Sequence, residues 1–354
     1  MPHPGLSQDV GEAVAMSGRQ PMRTYDIHGA LSVRTNVRLS PSIPSYLEAE
    51  VSDPGLVVEW MDRLEAPPEN RVVSAIGHPP TRDLGDGDVF YEVPLPLLHY
   101  LGVRGSWPFL LRGLLRDRTE ILTATPFFHP RPIESRVADL LSRVAYLVLS
   151  LKLLRKGIVL GHAAAVARED DVFLFFGYVG SGKTTIVLDL LDSVCDGYLS
   201  DDYALMRRDG EVLAWPEYHP PHSEDAGMPG LRYMRGRYRE TSQASFPIRK
   251  AGRVRAVYFL ERGPEAIVPI SRSEAARRAA LVNIDELSRF WNSPGAQLVG
   301  QYAYFYPELD VAAFMAEYAA CLTGFLGAAD AFILRSPSRY ENARGALERL
   351  GGRT

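Results

Sequence analysis

The sequence predicts an α/β protein in two parts, a rear core built on a phosphate-binding loop and a smaller β-rich or α+β domain ahead of it. Three observations carry that expectation. Residues 177–184, Gly-Tyr-Val-Gly-Ser-Gly-Lys-Thr, match the pattern G-x-x-x-x-G-K-[ST]. The match lies between a buried-strand run, Val172 to Phe176, and an amphipathic helix, Thr185 to Leu191, which is the strand, loop, helix order the pattern needs. From about Tyr25 to Pro132, short alternating or β-branched runs are separated by Pro, Gly and Asp clusters.

In chain order, residues 1–20 mix Pro, Gly, Ser and acids with no basic-then-apolar signal pattern, and read as a loose tail. Residues 21–132 form the β-rich domain, with strands expected at Leu31 to Val37, Arg71 to Ile76 and Val89 to Val93. Nothing in it has the spacing of a catalytic site; His99 and His129 read as ordinary polar groups. Residues 135–156 predict a connecting helix, N-capped by Ser135, with an apolar stripe from Val137 to Leu154 and basic residues in its last turn. The remainder, 157–354, is the loop-bearing domain. It opens with a strand, tight turn and strand (Leu160 to Ala167, then Val172 to Phe176) and continues past the loop with a hairpin at Tyr203 to Trp215. Strands at Ala256 to Leu260, Ala266 to Ile270 and Ala331 to Leu334 are expected, with helices from Ser273, over Val311 to Phe325, and from Ser338.

Composition bounds the function. The chain has 354 residues, 46% hydrophobic and 23% charged, ordinary values that exclude a wholly disordered protein. Its two cysteines, Cys195 and Cys321, give neither a metal knuckle nor a redox pair and read as reduced core thiols. The most apolar stretch, Ala145 to Leu154, is too short for a membrane span, so a soluble, cytoplasmic protein is expected. The net charge of −4 argues against a dedicated nucleic-acid binder but hides an asymmetry. Between residues 231 and 255, eight basic residues and one acid give +7, leaving −11 for the rest of the chain. Such a segment suits nucleotide phosphates or an acidic peptide substrate.

The loop residues have separable tasks. Gly177, Gly180 and Gly182 let successive N–H groups, including that of Ser181, turn inward on phosphate oxygens. The helix that follows, from Lys183, Thr184 and Thr185 onward, adds the partial positive charge of its N-terminus. Lys183 would reach the β- and γ-phosphates of ATP, and the Thr184 hydroxyl would ligate Mg²⁺. A second acidic element is needed, and Asp201-Asp202 supplies it about 18 residues after Lys183. One carboxylate can serve Mg²⁺ while the other takes a proton from a hydroxyl substrate. Neither a transporter-ATPase signature nor a guanine-reading motif follows.

His162 in its apolar strand, the hairpin, the loop, Asp201-Asp202 and the basic segment Pro247 to Arg253 follow one another in an order that resembles the HPr serine kinase family, which shares its core with phosphoenolpyruvate carboxykinases. The resemblance covers about Gly157 to Glu261. It implies a phosphate-binding-loop kinase core with a mixed sheet, ATP and Mg²⁺ as ligands, and phosphoryl transfer to a Ser or Thr hydroxyl of a protein or peptide. It places His162 near the phosphates, makes one of Asp201 and Asp202 the base and the other the metal partner, and gives charge neutralisation to Arg249 or Arg253. The family's Arg-Gly-rich signature is replaced here by residues 219–239, so the protein substrate HPr is not implied, and divergent kinases of ribosomally made peptide pathways are nearer in architecture. Two other readings stand beside it: a carboxykinase-like enzyme acting on a small organic acid, and a nucleotide-gated binding module without transfer. Homo-oligomerisation stays open.

Overall fold

The computed structural model describes residues 19–37, 39, 43–64, 71–73, 81–94, 106–124, 132–216, 246–291, 294–327 and 329–337. The expected tail up to residue 18, His99 and His129, residues 74–76 of an expected strand, the basic residues between 232 and 239, and the closing helix from Ser338 lie outside them. Among the described residues the chain is mixed α/β, with two eight-stranded mixed sheets and five α-helices.

The first sheet contains β1 (Arg19–Ile27), β2 (Leu31–Val37), β3 (Leu56–Met61), β4 (Arg71–Val73), β5 (Thr81–Gly85), β6 (Asp88–Pro94), β7 (Ser106–Arg112) and β8 (Thr119–Ala124). Its spatial order is β1-β2-β3-β8-β7-β6-β5-β4. The β2–β3 and β3–β8 pairs are parallel, and the rest are antiparallel. The β5–β6 hairpin turns on Asp86 and Gly87, with φ of 54° and 79°, the left-handed pair that a tight hairpin of the right twist requires.

Helix α1 (Pro132–Leu154) leaves this sheet and packs against both it and the second. It begins three residues before the expected Ser135 cap. Proline is well suited to a helix's first turn, where its missing N–H has no intrahelical partner to lose. Ser135 is therefore a helical residue and not the N-cap.

The second sheet contains β9 (Ile158–Arg168), β10 (Asp171–Phe176), β11 (Gly197–Ser200), β12 (Tyr203–Arg207), β13 (Glu211–Leu213), β14 (Ala251–Arg262), β15 (Ala266–Pro269) and β16 (Asp330–Ser336). Its path is β10-β9-β12-β13-β14-β16-β15, with β11 on β9. A parallel β10–β14 pairing closes β10, β9, β12, β13 and β14 into a ring. The helices are α2 (Lys183–Leu191), α3 (Arg272–Trp291), α4 (Pro294–Phe305) and α5 (Val311–Leu326).

Strand β10 is apolar without interruption because both faces are covered. Val172, Leu174 and Phe176 join the main core, while Phe173 and Phe175 pack with Ile186, Val187 and Leu190 of α2 on the other face. The main core is continuous across the two sheets: Trp60 and Trp107 of the first belong to the same buried cluster as Leu160, Tyr318 and Phe325. Among the described residues no helix is long and apolar enough to cross a membrane.

Candidate functional site

The loop between β10 and α2 is shaped by close approach. A Cβ on Gly177 would lie 2.5 Å from Ser181 Oγ, so only glycine lets the loop fold back on its own start. Gly180 and Gly182 sit at φ of 80° and 101°. Gly182 caps α2 without any side-chain hydrogen bond, so the first N–H groups of the helix keep their capacity for an anion. Lys183 is buried, and its Nζ donates to the Gly177 carbonyl at 2.7 Å, which holds the ammonium inside the curve of the loop. Thr184 is half-buried and Thr185 buried, while Tyr178 and Val179 form an exposed tip.

The sheet brings the acidic pair to this loop. Phe176, the last residue before the loop, pairs with Ala163 on one edge of β9. On the other edge, β11 pairs with β9 as far as Ala165 and β12 resumes at His162 with Tyr203. Asp201 and Asp202 form the break between β11 and β12, level with the start of the loop and two strand spacings, roughly 10 Å, across from it.

The two carboxylates differ. Asp202 Oδ1 lies 2.9 Å from His162 Nε2, with the imidazole 4% exposed and the carboxylate side chain 38% exposed. Asp201 is buried and accepts a hydrogen bond from the Tyr198 hydroxyl at 2.9 Å. His162 is itself fixed: its backbone N–H donates to Asn283 Oδ1 at 2.7 Å, and Asn283 Nδ2 donates to the Ala279 carbonyl at 2.7 Å. Its ring stacks on Tyr203 at 5.8 Å. Gly161 makes room for this, since a Cβ there would stand 2.8 Å from Asn283 Oδ1.

Arg249 and Arg253 are not brought to the loop. Strand β14 runs parallel to β10 with Arg253 opposite Asp171 and Phe259 opposite Phe176, so both arginines lie at the far end of the sheet. Six residues of strand from Arg253 to Phe259 span roughly 20 Å. Arg249 pairs there with Asp170, and Arg253 Nη1 donates to the Asp209 carbonyl at 3.0 Å. Sequence order alone does not reveal at which end of a sheet a strand begins.

A different charged group stands at the loop end of β14. Glu261 is bonded by Arg278 of α3 and, at 2.9 Å, by Arg335 Nε of β16. Glu274 accepts from Arg278 Nε at 2.6 Å and from Arg277 Nε and Nη2 at 2.9 and 2.8 Å. These two arginines pull the Glu274 carboxyl down to about 2. Burial pushes the Glu261 carboxyl up, but the bonds from Arg335 and Arg278 outweigh it and leave it below its ordinary value. Beside these groups a cavity of about 470 Å³ opens against Gly177 and Tyr178. The signal for it lay in Glu274 with Arg277 and Arg278 at helical spacings of three and four, and in the apolar run that ends at Glu261.

Among the described residues no three His, Cys, Asp or Glu side chains gather as a metal cage. Magnesium characteristically takes one or two carboxylates and completes its shell with phosphate oxygens and water, and Thr184, Asp201 and Asp202 are donors of that kind. No protein-family model matches the chain, and no curated protein matches it either.

Proposed function

We propose that this protein is an ATP- and Mg²⁺-dependent kinase with a core of the HPr-kinase-like type, transferring the γ-phosphoryl group to a hydroxyl such as Ser or Thr of a protein or peptide. The observation that carries this reading is the His162–Asp202 contact of 2.9 Å held level with the phosphate-binding loop, on the strand next to the one that feeds it. A loop alone would fit any nucleotide-binding module. A partly exposed carboxylate, oriented by a buried imidazole on the same end of the sheet, adds a base where a hydroxyl must be deprotonated.

In this reading the loop N–H groups and Lys183 hold the phosphates, and Thr184 and Asp201 hold Mg²⁺, which supplies charge neutralisation when bound. Asp202 accepts the proton of the acceptor hydroxyl as its oxygen bonds to the γ-phosphorus. The bond from that phosphorus to the β–γ bridging oxygen breaks, and its electron pair leaves on ADP. His162 keeps the Asp202 carboxylate aimed and is a positioning residue. Lys183 and the α2 N-terminus meet the charge that develops on the leaving side.

The test is transfer of label from γ-labelled ATP to hydroxyl acceptors by the wild-type chain and Lys183→Met. The wild-type should label an acceptor and the variant should not, with both melting as folded protein. A Lys183→Met chain that keeps wild-type turnover overturns the assignment.

A further inference from the structure

Strand β10 has a different neighbour on each side: β9, carrying His162 and backing Asp202, and β14, which ends at Glu261 and Arg262. The cavity of about 470 Å³ lies on the β14 side, between that strand end and α3, and Gly177 is part of its wall. Its walls are of two kinds. Phe259, Leu281 and Val282 make an apolar side, while three arginines, Arg262, Arg277 and Arg278, stand against one acid, Glu261. Arg278 is saturated between Glu261 and Glu274. Arg277 shares Glu274, and its side chain is 59% exposed. Arg262 is exposed and makes no ion pair among the described residues. With Glu274 counted, the three arginines still exceed the two acids by one charge; Arg262 carries that surplus, and Arg277, held by Glu274 through Nε and Nη2, stands beside it with Nη1 toward solvent. Lys183 Nζ, on the Gly177 carbonyl, marks where the cavity meets the phosphate end of the loop.

We propose that this cavity is the acceptor site, and that it selects a hydroxyl-bearing oxyanion with an apolar body. This rests on the kinase reading. Arg262 and Arg277 take the carboxylate or phosphate of the acceptor, since guanidinium forks match planar oxyanions. The apolar wall takes its carbon body. Asp202 lies one strand spacing beyond β9 and so three spacings, roughly 14 Å, from the end of β14, and only an extended acceptor crosses Gly177 to bring its hydroxyl to Asp202. The volume is that of a small-molecule site, which admits the anionic end of a long-chain hydroxy acid or one or two residues of an extended peptide.

Two measurements on the full chain test this. The first titrates 8-anilinonaphthalene-1-sulfonate, an apolar oxyanion, into wild-type and Arg262→Gln/Arg277→Gln protein. Saturable binding should weaken about tenfold or more in the double variant, while affinity for a non-hydrolysable ATP analogue with Mg²⁺ stays the same. Equal affinity of the two chains for the probe overturns the proposal. The second supplies γ-labelled ATP with matched acceptors, long-chain ω-hydroxy acids against their methyl esters, and Ser peptides with Asp against Asn three or four residues from the Ser. The anionic member should be preferred, through KM, and the double variant should lose the preference. Preference in the first pair marks a free metabolite as the source of the oxyanion, and in the second an acidic peptide. Transfer that proceeds equally to neutral acceptors overturns the acceptor site and leaves the kinase intact. No transfer to any acceptor by a chain that binds nucleotide overturns both.

Discussion

The two sheets have equal strand number and comparable burial, yet they use buried polar side chains differently. In the first, Thr81 and Asp83 bond the side chains of Gln301 and Tyr306, while Asn36, Thr119 and Thr123 bond main chain. Asn36 donates to the Trp60 carbonyl at 2.9 Å and accepts from the Trp60 N–H at 2.8 Å. Thr119 donates to the Gly113 carbonyl at 3.0 Å, and Thr123 to that of Pro108 at 2.7 Å. In the second, at one end, side chains bond one another: His162 with Asp202 and Tyr198 with Asp201. A side chain spent on backbone fixes a register and has no capacity left. A side chain paired with a titratable partner that still meets solvent keeps a proton site. Asp83 is 2% exposed and the Asp202 side chain 38%, and that contact with solvent, beside the glycine loop, is why the proposed chemistry is placed on the second sheet.

The sharpest way to break the comparison is Asp202→Asn, which keeps the shape and removes the proposed base. Turnover should fall by about 10²–10⁴, with nucleotide affinity and melting temperature close to wild-type, because asparagine keeps an oxygen for the His162 contact at a side chain that meets solvent. Unchanged turnover would return Asp202 to the structural role that Asn36 has. The converse variant, Asn36→Ala, leaves the Trp60 N–H and carbonyl unpaired in the first sheet. It should cost about 2–4 kcal/mol of unfolding free energy and leave kcat of the folded fraction alone; denaturant unfolding and active-site-normalised turnover decide it.

Legibility follows the same division. The loop, Asp201-Asp202 and His162 were readable because each is a local pattern next to an apolar strand, and antiparallel neighbours β9 and β10 are joined by a tight turn. Strands β1, β3, β5, β7 and β8 are not evident in the sequence: β3 pairs with the distant β8, while β1, β5 and β7 pair with near neighbours through turns whose signals, Asp86-Gly87 among them, are short and flanked by little alternation. Helix α4 was missed since Gly295 and Gly300 weaken its propensity and its register is imposed by packing on α1. The arginines were misassigned for a related reason. Arg249 and Arg253 are near the motif in sequence order but start their strand at the wrong end, whereas Arg277 and Arg278 reach the loop only through the docking of α3.

A smaller effect probes the helix that joins the sheets. Lys152 of α1 is buried, and its Nζ donates to the carbonyls of Arg116 and of Asp117, the latter at 2.9 Å, in the turn before β8. Burial, helped by Arg155, lowers its pKa to about 8. The folded chain thus releases a proton that the unfolded chain keeps until about pH 10.4. The penalty is complete below pH 8 and lifts as pH rises. Between pH 7 and 9 wild-type should gain about 1.4 kcal/mol relative to Lys152→Met, read as the difference in unfolding free energy of the two chains. Buried Cys195 and Cys321, pushed up to about 12 and about 11, oppose the trend in each chain once unfolded thiols ionise, but they are common to both chains and drop out of the difference. A pH-independent difference would mean that the ammonium at this joint is solvated, and that the sheets are less firmly tied than their common core implies.

The finest test lies inside the acidic pair. Tyr198→Phe removes only the hydroxyl that donates to Asp201 Oδ1 at 2.9 Å. A hydrogen bond to a buried carboxylate is worth about 1.5–3 kcal/mol when fully desolvated, but water and a bound cation can take up part of it, so the expected change is about threefold to tenfold in the Mg²⁺ concentration for half-maximal activity. At saturating Mg²⁺ the variant should recover wild-type kcat, because Asp202 and His162 are untouched. A kcat that stays as low as that of Asp202→Asn at every Mg²⁺ concentration would show that the two carboxylates act as one unit, and that the separate partners seen for Asp201 and Asp202 do not correspond to separate tasks.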